Sequence, residues 1–122
     1  MIGYVTVGTN DLARATAFYD ALLGELGATR QLELSRGVFW GVGKGSPMLG
    51  ALIPFDGKPM TVGNGTMVAL AIDSHEKIDA LHAKVLELGG TDEGAPGERM
   101  PGFYAAYVRD LDGNKLALFK MG

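Results

Sequence analysis

Cysteine is absent from the sequence, which excludes disulfides, thiolate nucleophiles and zinc–thiolate sites. No apolar run approaches the roughly 20 residues that a membrane-spanning helix needs. The chain also opens without a charged segment followed by an apolar one, so it shows no secretory leader. We therefore expect a cytoplasmic protein that has no membrane partner.

Clusters of basic residues are also missing. The 11 lysines and arginines are spread thinly along the chain, and the formal net charge is −3. Nucleic-acid-binding proteins normally carry a basic stripe or patch. We therefore expect no nucleic-acid partner.

Glycine, by contrast, is abundant, with 19 residues scattered among 122. Scattered glycines are typical of turns, bulges and close backbone approaches rather than of linkers. A chain of this length has room for one domain with its own core. We expect a single domain over residues 1–122.

The first half of the chain predicts a strand, a helix and three further strands. The strand is Ile2–Gly8, and Asp11 with its neighbours supplies cap-forming side chains for the helix. Leu12, Ala15, Tyr19, Leu22 and Leu26 recur at helical spacing. The three later strands are predicted at Arg30–Leu34, Gly37–Gly43 and Pro47–Ile53.

The second half repeats this order after a connector, Pro54–Gly65, that has two prolines and three glycines among its residues. A strand at Thr66–Ile72 precedes Asp73 and Glu76, which stand at capping-box spacing. The remaining predicted elements are a helix whose apolar stripe is Ile78, Leu81, Val85 and Leu88, and strands at Phe103–Arg109 and Lys115–Phe119.

The two halves are similar residue by residue. Glu25-Leu26-Gly27-Ala28-Thr29 matches Glu87-Leu88-Gly89-Gly90-Thr91, and the strand at Met48–Leu52 aligns with Lys115–Phe119. We interpret the chain as two copies of one β-α-β-β-β module, at about residues 1–57 and 64–122.

Two segments resemble a known family. IGYVTVGTNDLARATAFYDALL is similar to the opening of the vicinal oxygen chelate superfamily, which includes glyoxalases, bleomycin-resistance proteins and extradiol dioxygenases. YVRDLDGNKLALFK is similar to the D-P-D-G-N turn and final strand of that family. The resemblance implies an α+β fold in which two βαβββ modules form curled mixed sheets around a cavity.

The resemblance also implies a divalent metal held by four side chains, two from each module. The corresponding positions in this sequence are Tyr4, Gly50, Met67 and Ala117. Hard divalent ions need oxygen or imidazole ligands, and glycine, alanine and a thioether supply none. We therefore expect no bound metal and no other cofactor.

Three functions follow as alternatives. The first is a glyoxalase/bleomycin-resistance-like protein without the metal ligands, which binds a small, partly apolar molecule. The second is a metal-dependent glyoxalase-like lyase or dioxygenase-related enzyme with displaced ligands, for which Glu33, Glu98 and His75 are candidates. The third is a purely structural dimer unit. In each case we expect a homodimer, since open sheet edges favour pairing.

His75 and His82 are the only histidines, and both fall off the apolar stripe of the second helix. They are candidates for a metal or acid–base site, or they lie on a solvated helix face. The solvated face is the simpler interpretation, because the opposite stripe carries the apolar residues.

The aromatic residues give the remaining candidates. In the alignment of the two halves, the face of Phe103–Arg109 that carries Tyr107 corresponds to Val38, Trp40 and Val42. The alignment leaves open which face of these strands lines the cavity. Arg109 or Arg99 is the candidate partner for an anion. The predicted ligand-binding residues are Tyr4, Trp40, Gly50, Met67, Tyr107, Arg109 and Ala117.

Overall fold

The computed structural model describes all 122 residues, and these form two compact units, Met1–Val62 and Gly63–Gly122. Each unit contains four strands and one helix. The first unit contains β1 (Tyr4–Gly8), α1 (Leu12–Gly24), β2 (Thr29–Leu34), β3 (Gly37–Gly41) and β4 (Met48–Leu52). The second contains β5 (Val68–Ala71), α2 (His75–Glu87), β6 (Thr91–Met100), β7 (Phe103–Arg109) and β8 (Lys115–Met121).

The two units share one topology. The strand order is β1-β4-β3-β2 in the first sheet and β5-β8-β7-β6 in the second. In each sheet the first strand runs parallel to the last, and the other pairs are antiparallel. The predicted α+β fold of two βαβββ modules is confirmed.

Helix α1 begins where the sequence supplies a cap. The side chain of Asp11 accepts a hydrogen bond from the backbone N–H of Arg14, and this satisfies one of the free donors at the helix start. The side chains that α1 buries are Ala15, Phe18, Tyr19, Leu22 and Leu23. They lie at the three- and four-residue spacing of one helix face, and they form a core with the sheet of the first unit.

Helix α2 differs from its prediction at two points. Its N-cap is Ser74, whose hydroxyl accepts from the N–H of Lys77, rather than Asp73. His82, predicted on a solvated face, is only 8% exposed. Its Nε2 lies 2.8 Å from Oδ1 of Asp92 on β6, because a polar side chain next to the buried stripe needs a hydrogen-bond partner.

Strand β6 was not predicted. Its sequence, TDEGAPGERM, combines charges, two glycines and a proline, and it has no alternation of apolar and polar residues. It pairs with β7 through three register shifts. Proline and bulges are tolerated at the edge of a sheet, where no further strand has to pair.

No helix of the structure has both the length and the apolar character required to cross a membrane.

Trp40 on β3 is the largest side chain of the first unit's core. It is 1% exposed, its ring centroid lies 5.5 Å from that of Tyr19, and its Nε1 donates to Oδ1 of Asp20 over 2.8 Å.

We expect Trp40→Phe to lower the free energy of unfolding by about 2 kcal/mol, since it removes a charge-assisted hydrogen bond and leaves a small void. Urea denaturation measures the change. Val42→Ala is the control, because Val42 is 65% exposed, and its effect should stay within about 0.5 kcal/mol. Equal effects of the two substitutions would contradict the prediction.

Asp20 also makes the stability of the first unit dependent on pH. Hydrogen bonds from Arg30 and Trp40 lower the pKa of the Asp20 carboxyl below its ordinary value. A carboxyl group whose pKa is lower in the folded than in the unfolded protein stabilises the fold above about pH 4. This stabilisation is lost as the pH falls through the folded-state pKa.

We expect Asp20→Asn to be less stable than the parent protein at pH 7 and to lose stability less steeply between about pH 4 and pH 2. Urea titrations over that range test this, and parallel pH profiles for the two proteins would contradict it.

Candidate functional site

The sheet of the first unit has two faces with different roles. Helix α1 covers one face, where Val38, Trp40 and Ala51 are buried. The opposite face, here called the distal face, has a cavity of about 670 Å³. The residues that line this cavity include Tyr4, Leu32, Leu34, Phe39, Met48 and Phe55.

Aromatic side chains occupy the centre of this face. The rings of Tyr4 and Phe39 meet edge to face, with centroids 5.3 Å apart and planes at 89°. Tyr4 lines the cavity and remains 60% exposed. This geometry is a favourable one for two aromatic rings.

Gly50 is required beneath Phe39. The two residues are paired across β3 and β4, and a Cβ atom at position 50 would lie 2.6 Å from Cε2 of Phe39. The ring of Phe39 therefore occupies the space into which a side chain at position 50 would project. A carboxylate at this position has no room while Phe39 is present.

Arg36 is the one cation that lines this cavity. Its Cζ lies 5.0 Å from the centroid of the Phe55 ring, and its Nη1 donates to the carbonyl of Ile53 over a long 3.4 Å. No carboxylate forms a salt bridge with it. Its charge is therefore balanced only by weak contacts, in a surrounding that is otherwise mostly apolar.

A second cavity of about 590 Å³ also has Tyr4 and Met48 in its lining. Its other residues are more polar and include Gln31, Lys44 and Ser46, of which the last two lie between β3 and β4. The shared residues make Tyr4 and Met48 a common border between an apolar and a polar space.

Trp40 is buried against α1 and lines neither cavity, and this corrects its prediction as a ligand-binding residue. The strand ladders pair Phe39 with Gly50 in the first unit and Tyr107 with Ala117 in the second. Phe39 is thus the counterpart of Tyr107, and Trp40 is the counterpart of Val108. The sequence alignment of these strands was wrong by one residue, and a shift of one residue exchanges the two faces of a strand.

In the second unit, Tyr107 and Ala117 face away from α2. Ala117 is 2% exposed, whereas Met67, just before β5, is 44% exposed. The ladders also support the alignment of the four metal-ligand positions: Val5 pairs with Leu49 as Val68 pairs with Leu116. Position 4 therefore corresponds to position 67, and position 50 to position 117.

Arg109 is engaged within the protein. Its Nη2 donates to Oε1 of Glu93 over 2.8 Å, and its Nη1 donates to the carbonyl of Gly113 over 3.0 Å. The hydrogen bond from Arg109 lowers the pKa of the Glu93 carboxyl. Arg109 therefore joins β6 and the β7–β8 turn, in addition to any role towards a ligand.

The four aligned positions do not fit a metal ion. Tyr4, Gly50, Met67 and Ala117 offer one phenol and one thioether between them, and neither is a good ligand for a hard divalent ion. No group of three or more histidine, aspartate or glutamate side chains is arranged to hold a metal anywhere in the chain.

Glu33, Glu98 and His75 are the three candidates for metal ligands at other positions of the chain. Glu33 accepts from Arg30 over 2.9 Å, and the ring of His75 stacks on Tyr104 with centroids 4.0 Å apart. Glu98 is exposed on the edge strand β6. None of these three side chains belongs to a group of three or more that could hold a metal ion.

Comparison with known proteins gives a consistent result. The model of the Glyoxalase/Bleomycin resistance protein/Dioxygenase superfamily matches residues 1–118. A glyoxalase/bleomycin resistance protein from Albidiferax ferrireducens is 40% identical and has a TM-score of 0.87, and the match covers 98% of this chain and 97% of that one. No curated protein matches the chain.

Two more distant solved structures support the fold alone. A glyoxalase/bleomycin resistance protein/dioxygenase family enzyme from Burkholderia phytofirmans is 19% identical, with a TM-score of 0.79 and 98% of both chains covered. A lactoylglutathione lyase from Agrobacterium tumefaciens is 24% identical, with a TM-score of 0.71, and the match covers 98% of this chain and 92% of that one.

The contact between Gly50 and Phe39 predicts strong coupling between these positions. We expect Gly50→Ala to lower the free energy of unfolding by about 1–3 kcal/mol, because the new Cβ overlaps the Phe39 ring. In the Phe39→Leu background the same substitution should cost less, so a double-mutant cycle should give a coupling of about 1 kcal/mol.

Gly24→Ala is the matched control for this cycle. A Cβ at Gly24 meets nothing within 4 Å, so alanine there should leave stability unchanged or raise it slightly. Urea denaturation of the five proteins measures these changes. Additive effects at positions 39 and 50 would contradict the steric argument.

Proposed function

The chain belongs to the Glyoxalase/Bleomycin resistance protein/Dioxygenase superfamily, and from this we propose that it binds a small, partly apolar molecule without a metal ion. The proposed site is the cavity of the distal face of the first unit. The observation that carries the proposal is an aromatic wall at positions 4 and 50, where the family resemblance implies metal ligands. Phe39 fills the space above Gly50, and the ring of Tyr4 packs against it.

The size and lining of the cavity support a small-molecule ligand. Binding sites for such molecules usually measure about 300–1,000 Å³ and combine apolar walls with a few polar groups. The cavity of about 670 Å³ lies within this range, and its walls include Leu32, Leu34 and Met48. Desolvation of these side chains favours a ligand with an apolar body.

Arg36 supports a ligand that also carries negative charge. Its guanidinium keeps free donor capacity beyond its one long hydrogen bond to Ile53, and guanidinium groups bind carboxylates and phosphates through paired hydrogen bonds. We therefore propose an aromatic or apolar carboxylate or phosphate ester as the ligand class. The ring of Tyr4 would contact the body of such a molecule.

We also propose that the protein acts as a homodimer. Strands β1 and β5 are sheet edges that contain neither proline nor a charged residue, which are two common means of protecting an edge. Apolar side chains near these edges are exposed, with Ile2 at 57% and Met67 at 44%. A second copy would cover such surfaces, as in most soluble oligomers.

The ligand proposal predicts a charge-dependent difference between two probes. We expect 2-naphthoate to bind with a dissociation constant in the micromolar to submillimolar range, and 2-naphthalenemethanol to bind about tenfold more weakly, because only the anion uses Arg36. Arg36→Gln should weaken naphthoate binding about tenfold and leave the neutral probe unchanged. Tyr4→Ala should weaken both probes.

Isothermal titration calorimetry is the suitable measurement, because Trp40 faces α1 and its fluorescence does not report on this cavity. Arg14→Gln is the matched control, since Arg14 is an exposed cation on α1, on the other side of the sheet. Equal loss of naphthoate binding in Arg14→Gln and Arg36→Gln, or no binding of either probe at millimolar concentration, would refute the proposed site.

The dimer proposal is tested separately by sedimentation velocity. We expect the protein at about 10 μM to sediment with twice the 12.8 kDa mass of the chain. A charge placed on an edge strand, as in Val5→Lys, should shift the population towards monomer, since edge charges oppose strand pairing. A monomer at this concentration would contradict the proposal.

A further inference from the structure

The chain has three asparagines, Asn10, Asn64 and Asn114, and they stand in different surroundings. Asn64 lies in a turn shortly before β5, where it is exposed and is followed by Gly65. Asparagine is a chemically labile residue, because a backbone nitrogen can attack its side-chain amide. Glycine at the next position hinders this attack least, since it has no Cβ.

The backbone of this turn requires glycine after Asn64. Gly65 has a φ of +98°, which residues with a side chain rarely adopt. One hydrogen bond closes the turn, from the N–H of Thr66 to the carbonyl of Gly63 over a long 3.2 Å. The N–H of Gly65 and the side-chain amide of Asn64 form no hydrogen bond within the chain. The residue that the turn needs is therefore also the one whose nitrogen is free to react.

The other two asparagines are held by hydrogen bonds. Oδ1 of Asn10 accepts from the N–H of Met60 over 2.8 Å. Asn114 is 7% exposed, and its Nδ2 donates to Oδ2 of Asp110 over 3.0 Å. Each of the two is followed by a residue with a side chain, which crowds the backbone nitrogen. Neither position combines a free amide with an unhindered nitrogen.

We propose that Asn64 is a site of spontaneous deamidation in the folded protein. The backbone nitrogen of Gly65 loses its proton to hydroxide and attacks Cγ of Asn64, and the side-chain nitrogen takes up a proton and leaves as ammonia. The resulting five-membered succinimide then adds one water molecule at either of its carbonyl carbons. One product is aspartate, and the other is isoaspartate, in which the main chain runs through the former side chain. Water is the only co-reactant.

The reaction changes both the charge and the backbone of the segment that leads into β5. Either product adds one negative charge to a chain whose formal net charge is −3. Isoaspartate also lengthens the main chain by one methylene group shortly before β5 begins at Val68. The inference concerns the covalent state of the chain, and it does not depend on the function proposed for the cavity of the first unit.

The test is incubation of the folded protein at about 37 °C and about pH 8, followed by tryptic digestion and mass spectrometry. The tryptic peptide Gly45–Lys77 contains Asn64 as its only asparagine. Over days we expect this peptide to yield products about 1 Da heavier, because a hydroxyl replaces an amino group. Chromatography should separate them into aspartyl and isoaspartyl forms, and a sample digested at the start corrects for reaction during digestion.

The peptides with Asn10 and Asn114 serve as internal controls and should remain unchanged. The reaction of Asn64 should also be faster at higher pH, because the attacking nitrogen must first lose its proton. An unmodified Asn64 peptide, or equal rates at the three asparagines, would overturn the inference.

Variants distinguish attack by the backbone from simple hydrolysis of the side chain. Asn64→Gln should slow the reaction at least about tenfold, since glutamine must close a less favourable six-membered ring. Gly65→Ala places a Cβ beside the attacking nitrogen and should slow the reaction as well. Gly57→Ala is the matched control, because Gly57 also has a positive φ of +73° and open space around its Cα, but it is not adjacent to an asparagine. Unchanged rates in both Asn64→Gln and Gly65→Ala, or an equal slowing in Gly57→Ala, would refute the assignment.

Discussion

The anchoring of Trp40 against α1 determines how the first unit presents its distal face. The indole donates to Asp20 and packs on Tyr19, so β3 has one orientation in which this side chain is buried. Because side chains alternate along a strand, burying Trp40 on the helix side turns Phe39 to the other side. The contact of Phe39 with Tyr4, the requirement for glycine at position 50 and the apolar cavity all follow from that orientation.

The second unit obeys the same constraint with different side chains. Val108, with no exposed surface, occupies the place of Trp40, and Tyr107 consequently takes the place of Phe39. The phenylalanine is surrounded mainly by apolar side chains, whereas the tyrosine has Arg99 and Lys115 beside it. One backbone plan thus supports two distal faces of different chemistry, because the helix-facing residues hold the strands and leave the distal ones free to vary.

The sequence predicted those features that depend on local patterns. The two helices, seven of the eight strands and the internal repeat follow from apolar periodicity, cap residues and turn chemistry. Features that depend on tertiary contacts were missed. Strand β6 exists because β7 offers it a partner, despite Pro96 and its glycines, and His82 is buried because Asp92 reaches it from that strand. Trp40 was aligned with Tyr107 instead of Val108, because no local signal fixes the alignment of β3 with β7 to one residue and only the ladders of paired strands do so.

The same geometry explains how the fold tolerates the loss of the implied metal ligands. Positions 4, 50, 67 and 117 belong to the distal faces, so replacing their side chains leaves the helix–sheet cores intact. The loss of a metal ligand at position 50 is also difficult to reverse. A glutamate there would place its Cβ 2.6 Å from the Phe39 ring, so the ring would have to leave its place against Tyr4 and enter the cavity or displace its neighbours. A return to metal binding would therefore require a smaller residue at position 39 together with new ligands at several positions, and no single substitution supplies both.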